Sequence, residues 1–360
     1  MRRSPAGCRQ GAVLCYTSWM ERIAVIGAGA WGTALALAAR RAGRAVLLWA
    51  RDPALAEAIR RTGRNQAYLP GIVLDPAVRA TADDAALGEA EAVLLAVPAQ
   101  HVRPMLVRLG PALPARAPLV LCAKGIERDS LLLPAEVAAA LQPDRDLAVL
   151  SGPSFAAEVA RRLPTAVTLA AADPALAQRL VAALGSAEFR PYASGDPVGV
   201  GLGGALKNVL AIACGIVIGR GLGDNARAAL IARGLAELVR VGLAKGARPA
   251  TLMGLAGLGD LGLTCTSPQS RTLGLGIALG QGTSLADALA GQRGVVEGAF
   301  SAAAAATLAR RHGVAMPISQ AVDAILNQDA AIGATIAGLL ARPLRPEDEG
   351  WPMEPSAGIG

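Results

Sequence analysis

From Arg22 onward, short apolar runs alternate with amphipathic stretches. Arg22–Ile26, Ala45–Trp49, Ala92–Val97, Pro118–Ala123, Leu147–Leu150 and Thr165–Ala170 are almost continuously apolar. Runs of that length read as strands buried on both faces, as in a parallel sheet. Between them, Trp31–Arg41, Val102–Leu109 and Leu131–Leu141 carry the spacing of amphipathic helices. The alternation predicts an α/β architecture with a doubly wound, mostly parallel sheet. After about Asp196 the strand patterns stop. Ala226–Lys245, Glu297–Arg311 and Ile318–Leu326 then read as long helices, so an all-helical C-terminal domain is expected. The expected division is an extension over 1–20, a sheet domain over 21–195, a helical domain over 196–341 and a disordered tail over 342–360. Ser194-Gly195-Asp196-Pro197 would form the hinge or helix cap between the domains.

The most apolar stretch, Val198–Gly219, raises the question of a membrane span. Lys207 and Asn208 interrupt it, and the remaining run Val209–Gly219 is about half of what a bilayer requires. A buried helix is the better reading. Residues 1–20 begin Met1-Arg2-Arg3 but lack the apolar segment of an export signal. Met20 directly precedes the first strand, which points to a start codon assigned too early.

Composition narrows the class. A chain of 360 residues that is 53% hydrophobic and 18% charged is globular rather than disordered. The formal charge of +7 points to an anionic partner. Without a clustered basic stripe or a recognised module, a small phosphorylated ligand fits better than nucleic acid. Cys8, Cys15, Cys122, Cys214 and Cys265 are odd in number and show no CxxC spacing. That argues for a reducing, cytoplasmic compartment, and Cys265 reads as a packed thiol. His101 and His312 are the only histidines, too few for a histidine-based metal site, and His101 reads as a loop or helix-start residue. Lys124, Lys207 and Lys245 are the only lysines in a chain with 35 Lys+Arg. A lysine kept where arginine is otherwise used can do what arginine cannot, which is lose its proton.

The run Ile23-Ala24-Val25-Ile26-Gly27-Ala28-Gly29-Ala30-Trp31-Gly32 sets GxGxxG between a strand and a helix. Gly27 would make the tight turn, Gly29 would admit a pyrophosphate, and Gly32 would let helix and strand pack closely. This Rossmann-type signature indicates a nicotinamide dinucleotide, with a flavin as rival. After the next strand, Leu48-Trp49-Ala50-Arg51-Asp52 has no carboxylate at the position that normally accepts from the ribose 2′-OH of NAD. Arg51 suits a 2′-phosphate, so NADP is favoured, whereas a one-residue shift to Asp52 would keep NAD open.

Four further clusters set polar residues in apolar surroundings: Ala123-Lys124-Gly125-Ile126-Glu127, Ser151-Gly152-Pro153-Ser154-Phe155, Gly203-Gly204-Ala205-Leu206-Lys207-Asn208 and Gly257-Leu258-Gly259-Asp260-Leu261. Lys124 and Ser154 each follow a strand, at the sheet edge where such folds place ligands. Lys207 would open the first long helix of the second domain, where a buried cation needs a partner. Lys124 on a surface and Asp260 as a mere helix cap are the plainer readings of those two.

Taken together, GAGAWG, AKGIE, SGPSFAAE, GGALKNV, NARAALIARGLAE, GLAGLGDL, TCTSPQSR and VVEG closely resemble the bacterial NAD(P)-dependent glycerol-3-phosphate dehydrogenases, from about Arg22 to about Leu340. The resemblance implies hydride transfer between NAD(P)H and dihydroxyacetone phosphate, giving sn-glycerol 3-phosphate for glycerophospholipid synthesis. It implies Lys207 as general acid/base with Asp260 beside it, and a substrate site of Lys124, Gly152, Ser154, Asp260, Ser270, Arg271 and Thr272. On the cofactor side it implies Ala30, Trp31, Arg51 and Ala156 with the glycines and Lys124, closed over by Arg271, Val295 and Glu297. No metal is implied, and a homodimer is allowed. Thr272 stands where Asn is common, and Ala30 where Ser is frequent. The alternatives are a ketopantoate or 3-hydroxyacid type reductase, which would not need Arg271 for a phosphate, and a non-catalytic redox sensor, which would not need Lys207, Asp260 and Ser270-Arg271 together. A nucleic-acid binder would show affinity falling steeply with salt.

Overall fold

A computed structural model describes residues 20–290, 297–344 and 346–347. All of the expected extension but Met20, which is buried in the core beside the sheet, and most of the expected tail therefore lie outside the described residues, as does Val295. The strands are β1 (Arg22–Ile26), β2 (Ala45–Trp49), β3 (Val78–Thr81), β4 (Ala92–Leu95), β5 (Leu119–Leu121), β6 (Leu147–Ser151), β7 (Thr165–Ala171) and β8 (Phe189–Ser194). They form a single sheet in the order β3-β2-β1-β4-β5-β6-β7-β8. Pairing is parallel through β6; β7 runs antiparallel to β6, and β8 is parallel to β7. In register, Ile26 at the end of β1 lies beside both Trp49 of β2 and Leu95 of β4. Successive connections leave β1 in opposite directions, which opens a crevice at its carboxyl end.

Two strands were not foreseen, β3 and β8, the strands at the ends of the sheet order. Each alternates buried and exposed residues instead of forming a continuous apolar run, and β8 carries Pro191, which an edge position tolerates. The helix expected over Leu131–Leu141 begins at Pro134. Leu131 has a left-handed backbone, with φ of +62°, and a proline favours the first helical turn while keeping its predecessor extended.

The apolar stretch after Asp196 folds into one helix, Pro197–Gly219. The Asp196 carboxylate caps it, accepting from the Gly199 N–H at 2.8 Å and from the Arg248 N–H at 2.8 Å. By length and composition this helix could cross a bilayer, yet 94% of its apolar window is buried inside the protein. It leans on β6 and β7 on one side and on the helices Asp224–Ala244, Asp260–Thr266, Arg271–Gly280 and Glu297–Arg311 on the others. Lys207 therefore does not open the helix; it sits near its middle. The glycines ahead of it are hemmed in by their neighbours: a Cβ on Gly203 would strike the Ala256 carbonyl, one on Gly199 the Asp196 carboxylate, and one on Gly204 the Ser151 hydroxyl. Gly215 and Gly219 likewise meet Gly276 and Gly280 of Arg271–Gly280, so those two helices touch backbone to backbone.

Glu237, 1% exposed, ties the helical region together. Its carboxylate accepts from the N–H groups of Ile318 (2.6 Å) and Ser319 (3.1 Å) and from the Ser319 hydroxyl (2.9 Å). It thereby caps the helix Pro317–Asn327 from a distance. Burial raises its pKa to about 6 against these hydrogen bonds. The folded pKa lies above the unfolded one, so this group's contribution is complete below pH about 4.5 and is lost as pH rises through about 6. Glu237→Leu should cost about 2–3 kcal/mol in denaturant unfolding at neutral pH, because three buried donors lose their acceptor; an unchanged midpoint would refute the capping role.

Candidate active site

The glycine turn follows β1 at the crevice. Gly27 has φ of +110°, and a Cβ there would lie 2.8 Å from the Ala96 carbonyl oxygen at the end of β4. A Cβ on Gly32 would collide with the Gly27 carbonyl. Gly29 caps the helix Ala30–Arg41 without any side-chain hydrogen bond. Its first-turn N–H groups are thus left to a ligand at the positive end of the helix dipole. Trp31 is half-buried, its indole Nε1 has no hydrogen-bond partner, and its ring faces the Lys124 ammonium at 5.9 Å. These features fit a dinucleotide pyrophosphate.

Arg51 is exposed after β2. The rival acid, Asp52, caps the helix Pro53–Thr62, its Oδ1 accepting from the Ala54 N–H at 2.9 Å.

The chemical centre is assembled from four segments. Lys124 follows β5, Gly152 and Ser154 follow β6, Lys207 comes from the middle of the long helix, and Asp260 opens Asp260–Thr266. Asp260 is 1% exposed and bridges both lysines: Oδ1 accepts from Lys207 Nζ at 2.5 Å and Oδ2 from Lys124 Nζ at 2.8 Å. Lys207 Nζ also donates to Thr264 Oγ1 at 2.9 Å, whose hydroxyl donates to the Asp260 carbonyl. Lys124 Nζ donates in addition to the Gly152 carbonyl (2.8 Å) and to Ser154 Oγ (3.3 Å). An ammonium has three donors. Those of Lys124 are all engaged, whereas Lys207 has two engaged and one left over.

Burial lowers the Lys207 pKa to about 8; the Asp260 carboxylate opposes this and the Lys124 charge adds to it. The plainer readings of Lys124 and Asp260 do not describe this geometry: neither is a surface residue, and Asp260 pairs with two cations.

The remaining expected residues surround this centre. Ala156 begins the helix Ala156–Ala160, just beyond Ser154. Ser270 caps Arg271–Gly280, accepting from the Leu273 N–H at 3.2 Å. Arg271 opens that helix, and Thr272 is buried within it. Glu297 begins Glu297–Arg311, but its side chain is outside the described residues. Thr264 and Asn208 were not singled out. Asn208 Nδ2 donates to the Lys124 carbonyl at 3.2 Å. Their signals were present: Thr264 follows Asp260 by one helical turn, and Asn208 adjoins Lys207.

A parallel sheet with a glycine turn at its switch point, set against a buried lysine–carboxylate–lysine cluster, defines a dinucleotide-dependent dehydrogenase. The chain matches the family described as NAD-dependent glycerol-3-phosphate dehydrogenase, its N-terminus over residues 22–177 and its C-terminus over residues 196–337. It therefore belongs to the NAD-dependent glycerol-3-phosphate dehydrogenase family and is an oxidoreductase of that kind. It is 58% identical over 329 residues to glycerol-3-phosphate dehydrogenase [NAD(P)+] of Rhodospirillum rubrum, covering 91% of this chain and 94% of that one. The corresponding Caulobacter vibrioides protein is 56% identical over 327 residues, with coverage of 91% and 99%. The crystal structure of glycerol-3-phosphate dehydrogenase from Coxiella burnetii superposes with a TM-score of 0.86 at 39% identity, covering 90% of this chain and 99% of that one. A ketopantoate reductase from Ralstonia eutropha shares only the fold, at 19% identity and a TM-score of 0.55.

Proposed function

We propose that this chain reduces dihydroxyacetone phosphate to sn-glycerol 3-phosphate, reversibly, with Lys207 as general acid/base. The observation that carries this reading is the donor count at the two lysines. Lys124 is saturated and Lys207 retains one N–H for a substrate oxygen. The dinucleotide, when bound, supplies or accepts the hydride. Lys207 stabilises the negative charge that grows on the ketone oxygen and delivers a proton to it. In the reverse direction it removes the hydroxyl proton. A pKa of about 8 suits both duties near neutral pH. Asp260 orients Lys207 and balances its charge, and Thr264 fixes the rotation of the ammonium.

Lys124 holds Gly152 and Ser154 in place at the mouth while its ammonium faces the Trp31 ring, joining the cofactor side to the substrate side. Arg271, Ser270 and Thr272 hold the phosphate, with the Arg271 guanidinium as bidentate donor. The glycines, Ala30, Trp31, Ala156 and Arg51 hold the dinucleotide, and Val295 and Glu297 close over it. In this division residues 21–195 bind the cofactor and 196–341 complete the substrate site. The free, buried Cys122, Cys214 and Cys265 suit a reducing cytoplasm, and the product is the backbone of glycerophospholipids.

NADPH is the favoured cofactor because Asp52 is committed to its helix while Arg51 is open to solvent. An absorbance assay of NADH and NADPH oxidation with dihydroxyacetone phosphate tests substrate and cofactor together. Oxidation with an unphosphorylated oxoacid but not with the phosphate ester would overturn the assignment. Arg51→Ala should raise the KM for NADPH about tenfold or more and leave that for NADH within about twofold. Equal effects on both would place the 2′-phosphate elsewhere.

A further inference from the structure

Asn65 lies between the helix Pro53–Thr62 and β3, in a segment that carries none of the expected site residues. It is fully buried at 0% exposure. Both of its side-chain donors leave its own loop: Nδ2 donates to the Ala28 carbonyl at 2.8 Å and to Thr33 Oγ1 at 2.8 Å. Its Oδ1 accepts from the Tyr68 N–H at 3.3 Å. Because a backbone carbonyl can only accept, the amide nitrogen must face Ala28, so this orientation of the carboxamide is fixed by chemistry.

Ala28 is the residue between the first two glycines of the turn. In a trans peptide the carbonyl of one residue and the N–H of the next point in opposite directions. Holding the Ala28 oxygen inward therefore turns the Gly29 N–H outward, toward the half-exposed mouth of the turn. Nothing local does this job. Gly29 has no side chain to cap the helix, and rotation of a peptide next to glycine meets little steric resistance. The second Nδ2 bond, to the buried Thr33 in the first turn of Ala30–Arg41, locks the helix start to the same anchor.

We propose that Asn65 is a positioning residue for the dinucleotide: it clamps the Ala28–Gly29 peptide from behind so that the Gly29 N–H is aimed at the pyrophosphate. The inference rests on the glycine turn being the dinucleotide site. The plainer alternative is that Asn65 merely closes its own loop, in which case its loss would lower stability and leave cofactor affinity alone.

The test is titration of NADH and NADPH into the wild-type protein and into Asn65→Leu, Asn65→Asp and Thr33→Val, well below each melting temperature. Steady-state kinetics accompany the titrations. Asn65→Leu and Asn65→Asp should raise the Kd for both dinucleotides about tenfold or more. The KM for dihydroxyacetone phosphate at saturating cofactor should stay within about twofold. Thr33→Val keeps the Ala28 bond and should show a smaller rise, and it serves with Asn65→Asp if Asn65→Leu does not fold. Folded Asn65 variants with lowered melting temperature but unchanged Kd would overturn the proposal. Wild-type protein that binds neither dinucleotide would overturn the reading of the turn itself, and the inference with it.

Discussion

On the proposed role of Lys207, Lys207→Ala should lower kcat about 10³-fold or more, while NADPH should bind as it does to the wild-type protein. The size of the effect follows from two losses at one atom. In the proposed mechanism the ammonium that would neutralise the developing oxyanion disappears, and so does the proton that the product alcohol would require. Lys124 cannot take over, since its three donors are held by Asp260, Gly152 and Ser154. The dinucleotide turn is untouched by the change. In the wild-type protein the reductive kcat should fall above pH about 8, where Lys207 loses its proton, and the oxidative kcat should rise through the same region. Stopped-flow turnover with a parallel cofactor titration measures both halves. Substantial residual turnover would falsify the assignment of Lys207.

Asp260→Asn should be the most damaging substitution for stability, costing about 3–5 kcal/mol at neutral pH. One carboxylate at 1% exposure balances two ammonium groups, and an amide at the same place carries no charge and turns an NH₂ toward one of the lysines. Removing the attraction of Asp260 also lowers the Lys207 pKa further. The folded value of about 8 already lies below the ordinary lysine value of 10.5, so the unfolded chain binds more protons between those limits. Stability contributed by this group therefore rises with pH across that window in both proteins, but in Asp260→Asn the rise begins at lower pH. The deficit should thus shrink as pH climbs toward about 8 and level off above it. Denaturant unfolding at neutral and alkaline pH measures this. A deficit independent of pH, or a kcat profile with its midpoint unmoved, would mean that Asp260 does not control the charge on Lys207.

The central strands and the glycine turn were legible because they are local: a buried parallel strand is a continuous apolar run, and GxGxxG has a fixed spacing. The edge strands were not, since exposure on one side breaks the apolar run of Val78–Thr81, and Phe189–Ser194 tolerates a proline. Lys207, Lys124 and Asp260 stood out as charges among apolar residues, but their pairing depends on segments far apart in the chain. The buried helix over Val198–Gly219 and its cap near Asp196 were legible, but Lys207 was placed at its opening rather than its middle because Gly199, Gly201, Gly203 and Gly204 have low helix propensity. What packs against them, the Ala256 backbone at Gly203 and side chains at Gly199 and Gly204, is no part of that propensity. Asn65 gave no signal at all. Its neighbours are ordinary loop residues, and its meaning lies in a carbonyl 37 residues away.

The glycine contact between the two helices of the catalytic region amounts to a gauge. Gly215 opposes Gly276 and Gly219 opposes Gly280, a constant offset of 61 (276 − 215 and 280 − 219), so the helices run parallel in fixed register. By the same offset Arg271 stands level with Leu210, three residues beyond Lys207, or about 4.5 Å along the axis. Backbone in contact with backbone leaves no side-chain layer to compress. With Lys207 as proton donor and Arg271 as phosphate clamp, as proposed, the spacing between them is set by main chain, and a substrate of different length would not be met by repacking. On that assignment, selection for a short phosphate ester would be written into the distance between two helices rather than into the walls of a pocket.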